Sequence, residues 1–143
     1  MKISTKGRYA LRMLVDLAEH RNDGFVSLKD VAQRQDISKK YLEQIIPVFN
    51  KSDILRTNRG AQGGYMLARG PETITVGEIL RMTEGDLAPV YCANNAGDCE
   101  RSGYCATLPV WQGLYKVINE YIDGITLQDL LDRRHDAGDD YVI

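Results

Sequence analysis

SKKYLEQIIPVF (residues 38–49) and ILRTNRGAQGGYMLA (residues 54–68) decide the fold of this chain. The apolar residues of the first stretch follow an i, i+3, i+4, i+7 spacing, which predicts a helix with one buried face. They are Leu42, Ile45, Ile46 and Phe49. Ser38 is a typical N-cap, and Pro47 predicts a kink or a weakened last turn because it removes a backbone hydrogen bond. The second stretch places a glycine-rich turn between two strand-like runs, which predicts a β-hairpin.

The segment before this pair predicts two more helices. Apolar residues recur at helical spacing over residues 6–20, and Ser27 begins a short helix with Asp30 at the third position of a capping box. Asp36 and Ile37 form a tight turn before the next helix. Helix, helix, turn, helix, hairpin is the order of a winged helix-turn-helix, so we expect that DNA-binding fold in residues 1–84.

The second half of the chain predicts helices on either side of an irregular loop. Residues 75–78 form a capping box that opens a short helix. After the loop at residues 85–106, a long helix is expected from about Pro109 to Tyr121, and Thr126 caps a final short helix. We expect the acidic tail after Arg134 to fray. The long helix carries one apolar stripe: Trp111, Leu114, Tyr115, Ile118, Tyr121 and Ile122.

The fold class predicted from these elements is mainly α with a small β-hairpin wing. The chain divides into the winged helix-turn-helix domain at residues 1–84, a cysteine-bearing loop at 85–106, and the long helix with the C-terminal helix at 107–143.

Charge is distributed unevenly along the chain. The net charge is −2, yet residues 1–70 hold 13 basic and 7 acidic side chains, whereas residues 71–143 hold 5 and 13. A basic front half favours contact with a polyanion such as nucleic acid, although chance segregation of surface charge gives the same pattern.

Several classes of protein are excluded or disfavoured. No apolar run approaches the roughly 18–20 residues that span a bilayer, and the N-terminus has no signal-peptide core. We therefore expect no membrane association and a cytoplasmic location. The sequence has no plausible nucleophile–base pair, phosphate loop or paired carboxylate motif, so we expect no enzyme activity.

The third helix and the hairpin tip offer side chains suited to DNA. Gln44 can pair with an adenine edge, Lys40 with guanine or phosphate, and Tyr41 with phosphate. Arg59 at a glycine-flexed tip can enter a narrow minor groove. Gly63 and Gly64 allow a close backbone approach to phosphate or simply make the turn. An ordinary solvated helix face remains the alternative for the third helix.

The chain contains three cysteines, spaced Cys92-x6-Cys99-x5-Cys105 in the loop. An odd number argues against a disulfide framework. Soft thiolates select zinc, copper(I) or iron–sulfur clusters, and these gaps are longer than the usual hooks of structural zinc sites. Three reduced thiols, a cluster, and a zinc or redox site all stay open on this chemistry.

Four motifs resemble the IscR, NsrR and CymR type of winged-helix regulators. They are residues 1–10 (MKISTKGRYA), 38–44 (SKKYLEQ), 59–65 (RGAQGGY) and 125–130 (ITLQDL). The resemblance implies a homodimer crossed over through the long helix, which binds double-stranded DNA at a palindromic operator. It also implies that Tyr41, Gln44 and Arg59 lie at the DNA. With their neighbours, the predicted DNA-binding set is Ser38, Lys39, Lys40, Tyr41, Gln44, Arg59, Gly60, Gln62 and Gly63.

The resemblance also bears on the cysteines. Regulators of the IscR and NsrR type bind an iron–sulfur cluster with three cysteines in this loop, and CymR-type relatives lack them. Cys92, Cys99 and Cys105 are thus implied metal ligands, with [2Fe–2S] favoured over [4Fe–4S]. The histidine of the IscR pattern is Leu108 here, and the acidic position of NsrR-like members is Arg8. Asp98, Glu100, a backbone group, water or an external thiol remain for the fourth ligand.

The function that follows is a transcription regulator, in the first instance a repressor, whose DNA binding responds to iron–sulfur or redox status through the cluster. The alternative is a cluster-free regulator of cysteine metabolism that acts through a metabolic-enzyme partner and carries redox-active thiols.

Overall fold

A computed structural model describes residues 1–139 of the chain. The helices are α1 (Thr5–Glu19), α2 (Leu28–Gln35), α3 (Lys39–Phe49), α4 (Val76–Glu84), α5 (Leu108–Asp123) and α6 (Leu127–Asp139). Strands β1 (Leu55–Asn58) and β2 (Gly64–Leu67) form an antiparallel hairpin in which Leu55 pairs with Leu67 and Asn58 with Gly64. The winged helix-turn-helix order and the mainly α class are confirmed.

Local signals set the ends of α3. Ser38 Oγ accepts a hydrogen bond from the Tyr41 backbone N–H at 3.0 Å, as expected of an N-cap. Asp36 turns the chain between α2 and α3 in the left-handed conformation, with φ of 53°. The helix continues through Pro47, but the Asn50 N–H reaches back only three residues, to the Pro47 carbonyl at 3.4 Å. The last turn is therefore tighter than an α-helical turn, and the helix does not end at the proline.

One core joins the beginning and the end of the described chain. Fully buried side chains of α1, α3 and α6 pack together, among them Leu14, Leu42 and Leu127. The start of α6 is hydrogen-bonded to the segment before α4, since Leu127 N–H donates to the Ile74 carbonyl at 2.9 Å. The last helix thus completes the core around the first helix.

Two expected boundaries differ from the structure. The long helix α5 extends one residue earlier than Pro109 and two residues later than Tyr121. Helix α6 continues to Asp139, so the expected fraying directly after Arg134 is wrong, and residues 140–143 lie outside the described part. Leu127 and Leu131 are buried against the core, and this packing supports a longer helix than its polar sequence indicates.

A smaller apolar cluster joins α4 to α5 through Val76, Leu80, Leu87 and Ile122. Arg81 of α4 adds a bidentate ion pair to Asp123 of α5, at 2.7 and 2.8 Å. Across residues 1–139, none of the helices is long and apolar enough to cross a membrane.

Candidate nucleic-acid interface and cysteine loop

A groove of about 840 Å³ lies between the start of α2, helix α3 and the hairpin. Four residues of the predicted DNA-binding set line it: Lys39, Arg59, Gly60 and Gly63. The third helix and the hairpin tip therefore face one concave, open surface, as a winged helix requires for contact with a duplex.

The other predicted residues lie outside the groove lining. Lys40, Gln44 and Gln62 are exposed and free to reach a partner, and Ser38 is exposed at the helix cap. Tyr41 is half-buried, and its ring packs edge-on against Tyr9 of α1, with centroids 5.5 Å apart. Part of the Tyr41 side chain therefore holds α3 on α1, a role that the sequence analysis did not assign to it.

The glycines of the hairpin serve its own backbone. Gly60 has a φ of 129°, a backbone conformation that residues with a side chain rarely adopt. A Cβ at Gly64 would overlap the Val26 carbonyl, because Val26 and Tyr65 exchange backbone hydrogen bonds at 2.9 and 2.8 Å. This bridge fixes the hairpin to the segment before α2. For Gly64 the structure gives a reason that is neither of the two alternatives, a close packing of its backbone against Val26 within the protein.

The groove also contains residues that the sequence analysis missed. They are Ser27, Leu28, Lys29, Glu43, Asn50, Thr57, Asn58 and Tyr65, and Gly64, which the sequence analysis did consider, lines the groove as well. Lys29 adds a positive charge in the first turn of α2. Lys29 lies beside the wing because the Val26–Tyr65 bridge holds the two segments together. The sequence indicated only the positive charge of Lys29 and not its position.

A buried carboxylate fixes α2 on α1. Asp16 is 1% exposed, and its oxygens accept hydrogen bonds from Arg34 at 3.0 and 2.7 Å and from Gln35 at 3.0 Å. The hydrogen bond to Asp16 raises the pKa of Arg34 above its ordinary value. Since α2 borders the groove, this ion pair sets one wall of the interface.

The cysteines lie apart on a loop with little packing. Cys92 and Cys105 are half-buried, Cys99 is exposed, and all three are free thiols. The hydroxyl of Thr107, followed by the backbone N–H groups of Thr107 and Leu108, lowers the pKa of the Cys105 thiol. Within the described residues, no group of three His, Cys, Asp or Glu side chains is arranged to hold a metal ion.

Helix α5 exposes a row of apolar side chains that only partly coincides with the predicted stripe, since Val110 and Val117 lie outside that stripe. Val110, Leu114, Val117 and Tyr121 are 59%, 43%, 61% and 65% exposed, at a spacing that places them along one side of the helix. Beside them lies an apolar cavity of about 200 Å³, lined by Ile3, Leu80, Leu87 and Ile118 among others. Of the predicted stripe, only Ile122 is buried in the single chain.

Comparisons with known proteins agree with this architecture. The family described as "Rrf2: Iron-dependent Transcriptional regulator" matches residues 3–133. Protein rrf2 of Nitratidesulfovibrio vulgaris is 41% identical over 92% of this chain and 87% of its own length. The HTH-type transcriptional regulator CymR of Bacillus subtilis is 37% identical over 91% of this chain and 89% of its own length.

Solved structures give the same picture. The structure titled "T. potens IscR" superposes with a TM-score of 0.77 at 42% identity, covering 96% of this chain and 90% of that one. CymR, titled the global cysteine regulator of B. subtilis, gives a TM-score of 0.75 at 35% identity, covering 93% and 98%. These relatives are named as regulators, which confirms that the chain is not an enzyme. The chain belongs to the Rrf2 family of transcriptional regulators.

Proposed function

We propose that this regulator is a repressor that binds a palindromic operator as a homodimer, and that an iron–sulfur cluster on Cys92, Cys99 and Cys105 modulates its DNA affinity. The observation that carries the proposal is the joint placement of two features. An open groove lies between α3 and the wing, and a three-thiol loop leads directly into the long helix α5.

The DNA contact is assigned to α3 and the wing within residues 1–84. Gln44 and Lys40 are exposed on α3 and suit base edges in a major groove, while Arg59 on the wing suits the adjacent minor groove. Ser38, Lys39, Tyr41, Gly60, Gln62 and Gly63 complete the proposed contact surface. Phosphate contacts by lysines would set register, and Gln44 would supply discrimination between bases.

The homodimer is assigned to α5, within residues 107–143. Four large apolar side chains at helical spacing are exposed on it, and an apolar cavity adjoins them. A monomeric protein rarely leaves such a stripe to water. Pairing with the same face of a second copy makes a twofold dimer, and a twofold dimer reads a palindromic site.

The cluster is assigned to the loop at residues 85–106. Three soft thiolates on one segment, none of them fully buried, suit an iron–sulfur cluster by their chemistry. A [2Fe–2S] cluster is favoured over [4Fe–4S]. The chemistry that a bound cluster supplies is sensitivity to iron supply and oxidation, because its loss or oxidation changes what holds the three thiolates.

Coupling to DNA requires that the cluster favour one conformation of the dimer. Helix α4 packs on α1 in the DNA-binding head (residues 1–84). The loop lies between α4 and α5 along the chain. Ordering the loop would therefore change the distance between the two DNA-binding heads of the dimer. Affinity for a palindrome would change with it, because the spacing of the two half-sites is fixed.

The cluster-free alternative is supported by the similarity to CymR, and by the separation of the thiols in the described residues. In that function the cysteines are redox-active thiols, and a metabolic enzyme of cysteine supply is the partner. Colour separates the two, because cluster protein purified without oxygen absorbs visible light and thiol protein does not.

The decisive experiment combines anaerobic purification, iron and sulfide counts, and DNA affinity by fluorescence anisotropy for cluster-loaded and cluster-free protein. We expect visible absorbance and different affinities at one operator. Cys99→Ala should remove the absorbance and keep a folded dimer, with Ser102→Ala in the same loop as the matched control. Equal affinities would contradict the switch, and a colourless protein would favour the cluster-free regulator.

The DNA contacts are tested separately. Gln44→Ala should cost about 1–3 kcal/mol at one base pair only. Arg59→Ala should weaken binding most in A·T-rich flanks, where the minor groove is narrow. Lys116→Ala removes a positive charge from exposed α5 and serves as the control. A loss from Gln44→Ala that is equal at all sequences would make Gln44 a phosphate contact instead.

A further inference from the structure

Residues 84–86 connect the DNA-binding head to the cysteine loop through two acidic anchors. Glu84 is the last residue of α4, and its Oε1 accepts hydrogen bonds from the backbone N–H of Ser4 at 3.1 Å and from its hydroxyl at 2.6 Å. Ser4 is the N-cap of α1, the first helix of the head. The carboxylate therefore lies at the positive end of α1, where negative charge is stabilising.

Asp86, two residues later, is bonded to both the loop and the long helix. Its Oδ1 accepts the hydroxyl of Tyr115 in α5 at 2.8 Å and the backbone N–H of Ala88 at 3.1 Å. Its Oδ2 accepts the side-chain amide of Asn94. These bonds lower the pKa of Asp86, the Tyr115 hydroxyl most strongly.

The Asp86 contacts enclose the turn that carries Cys92. That turn, Tyr91–Ala93, lies between Ala88 and Asn94, and Asn95 donates back to the Tyr91 carbonyl at 3.1 Å. Cys92 is thus held against α5 through a side chain that is not itself a thiol. Moving the turn away from α5 therefore breaks a hydrogen bond to Asp86, from either Asn94 or Tyr115.

Gly85 separates the two anchors with a φ of 78°, a conformation that favours glycine. It allows the chain to reverse sharply, so that Glu84 faces α1 while Asp86 faces α5 and the loop. The Arg81–Asp123 ion pair holds the rest of α4 on α5. The short segment 84–86 therefore joins the loop to the N-terminus of α1 through Glu84.

We propose that Asp86 is a positioning residue that holds the Cys92 turn on α5 through Tyr115, and that the segment 84–86 transmits rearrangement of the cysteine loop to α1 and the DNA-binding head. The inference rests on the proposed cluster switch for its regulatory consequence, since Cys92 is one of the three proposed ligands and the described residues hold no group of three side chains arranged for a metal ion. The anchoring of the turn itself is a property of the protein without a cluster.

The chain offers a matched pair of variants. Tyr115→Phe removes only the hydroxyl that joins Asp86 to α5. Tyr91→Phe removes a hydroxyl that donates to Asp98 at 2.7 Å, an exposed tyrosine–aspartate bond of similar length that stays within the loop. Both variants keep their rings, every cysteine and every predicted DNA contact.

The first measurement is amide hydrogen exchange by mass spectrometry on the cluster-free dimer. Tyr115→Phe should speed exchange at residues 87–95 by about fivefold, as expected for the loss of one net hydrogen bond of about 1 kcal/mol. Tyr91→Phe should leave the backbone of residues 86–88 and the start of α5 at the wild-type rate. Unchanged exchange in Tyr115→Phe would overturn the anchoring.

The second measurement is the ratio of operator affinities between cluster-loaded and cluster-free protein, with iron content and dimer mass checked for each variant. Tyr115→Phe should bring this ratio towards one while cluster content stays at the wild-type level, and Tyr91→Phe should keep the ratio. Glu84→Ala should also lower the ratio, but with wild-type exchange in the loop. An unchanged ratio in Tyr115→Phe and Glu84→Ala would overturn the transmission.

The two proposals fail in different ways. If wild-type protein binds a cluster but shows a ratio of one, the proposed switch is wrong, and the transmission inferred for residues 84–86 is wrong with it. The exchange experiment then still decides whether Asp86 anchors the turn.

Discussion

The head of this regulator and its α5 arm are built on opposite principles. In the head, α1 and α3 bury most of their apolar side chains in one core that α6 completes, and apart from Pro47 none of them is exposed. In α5, only Leu108 and Ile122 are buried, and four large apolar residues are exposed. The core of the head is therefore completed within one chain, with α6, whereas α5 needs a partner surface to cover its apolar side. Regulation acts most readily on α5, because the packing of its apolar side depends on what binds to it.

The largest expected effect is a loss of stability in the head. Leu42 is fully buried between α3 and α1, so Leu42→Ala should lower the free energy of unfolding by about 2–5 kcal/mol. The measurement is urea denaturation at two protein concentrations. Leu114→Ala on α5 is the matched control, and its smaller loss should shrink as the protein is diluted because it acts through association. Equal losses of stability for the two variants at both protein concentrations would contradict the distinction between the two regions.

The next largest effect is a weaker dimer when the apolar side of α5 is changed. Val117→Glu places a charge in the exposed stripe of α5, and burying it twice in a dimer should weaken association by about 100-fold, roughly 2.7 kcal/mol. Sedimentation velocity measures the dissociation constant. Gln112→Glu adds the same charge at an exposed polar position of α5 and should leave the dimer intact. Val117→Glu protein that stays dimeric at wild-type concentrations would place the interface elsewhere.

A smaller effect concerns α4, the helix between the two regions. Thr75 Oγ1 accepts the Glu78 N–H at 3.1 Å, and Glu78 accepts the Thr75 N–H at 3.1 Å, which completes the capping box. Thr75→Ala should cost about 1 kcal/mol of unfolding free energy, while Thr75→Ser keeps the hydroxyl and most of the stability. Chemical denaturation measures both, and similar losses for Ala and Ser would show that packing of the threonine methyl matters more than the cap.

The smallest effect is a pH dependence at the start of α6. The backbone N–H of Thr126, followed by its hydroxyl, lowers the pKa of Asp129. A carboxyl whose folded pKa is depressed contributes stability above its unfolded pKa, about 3.9, and this contribution is lost as the pH falls through the folded pKa. Asp129→Asn should therefore flatten the acid side of the stability curve, as measured by thermal denaturation between neutral and acidic pH. Parallel curves for the two proteins would contradict this role.

The proposed site divides in the same way as the molecule. The positions of Ser38, Lys40 and Gln44 on α3 follow from helical spacing and capping, which are local rules. The half-burial of Tyr41 does not, because it depends on Tyr9 in another helix. Lys29 and Asn58 were missed for the same reason, since a bridge between Val26 and Tyr65 brings their segments to one groove.

By itself, the sequence determined the order of the elements, the caps at Ser38 and Thr75, the hairpin and the grouping of the cysteines in one loop. Each of these depends on residues a few positions apart. The tertiary structure decided that α6 closes the core of α1, that Asp16 fixes α2 through Arg34, and that Glu84 reaches Ser4 across 80 positions. Such contacts depend on how helices pack in space, and the hydrophobic burial that drives packing is non-directional, so no short motif encodes the partner.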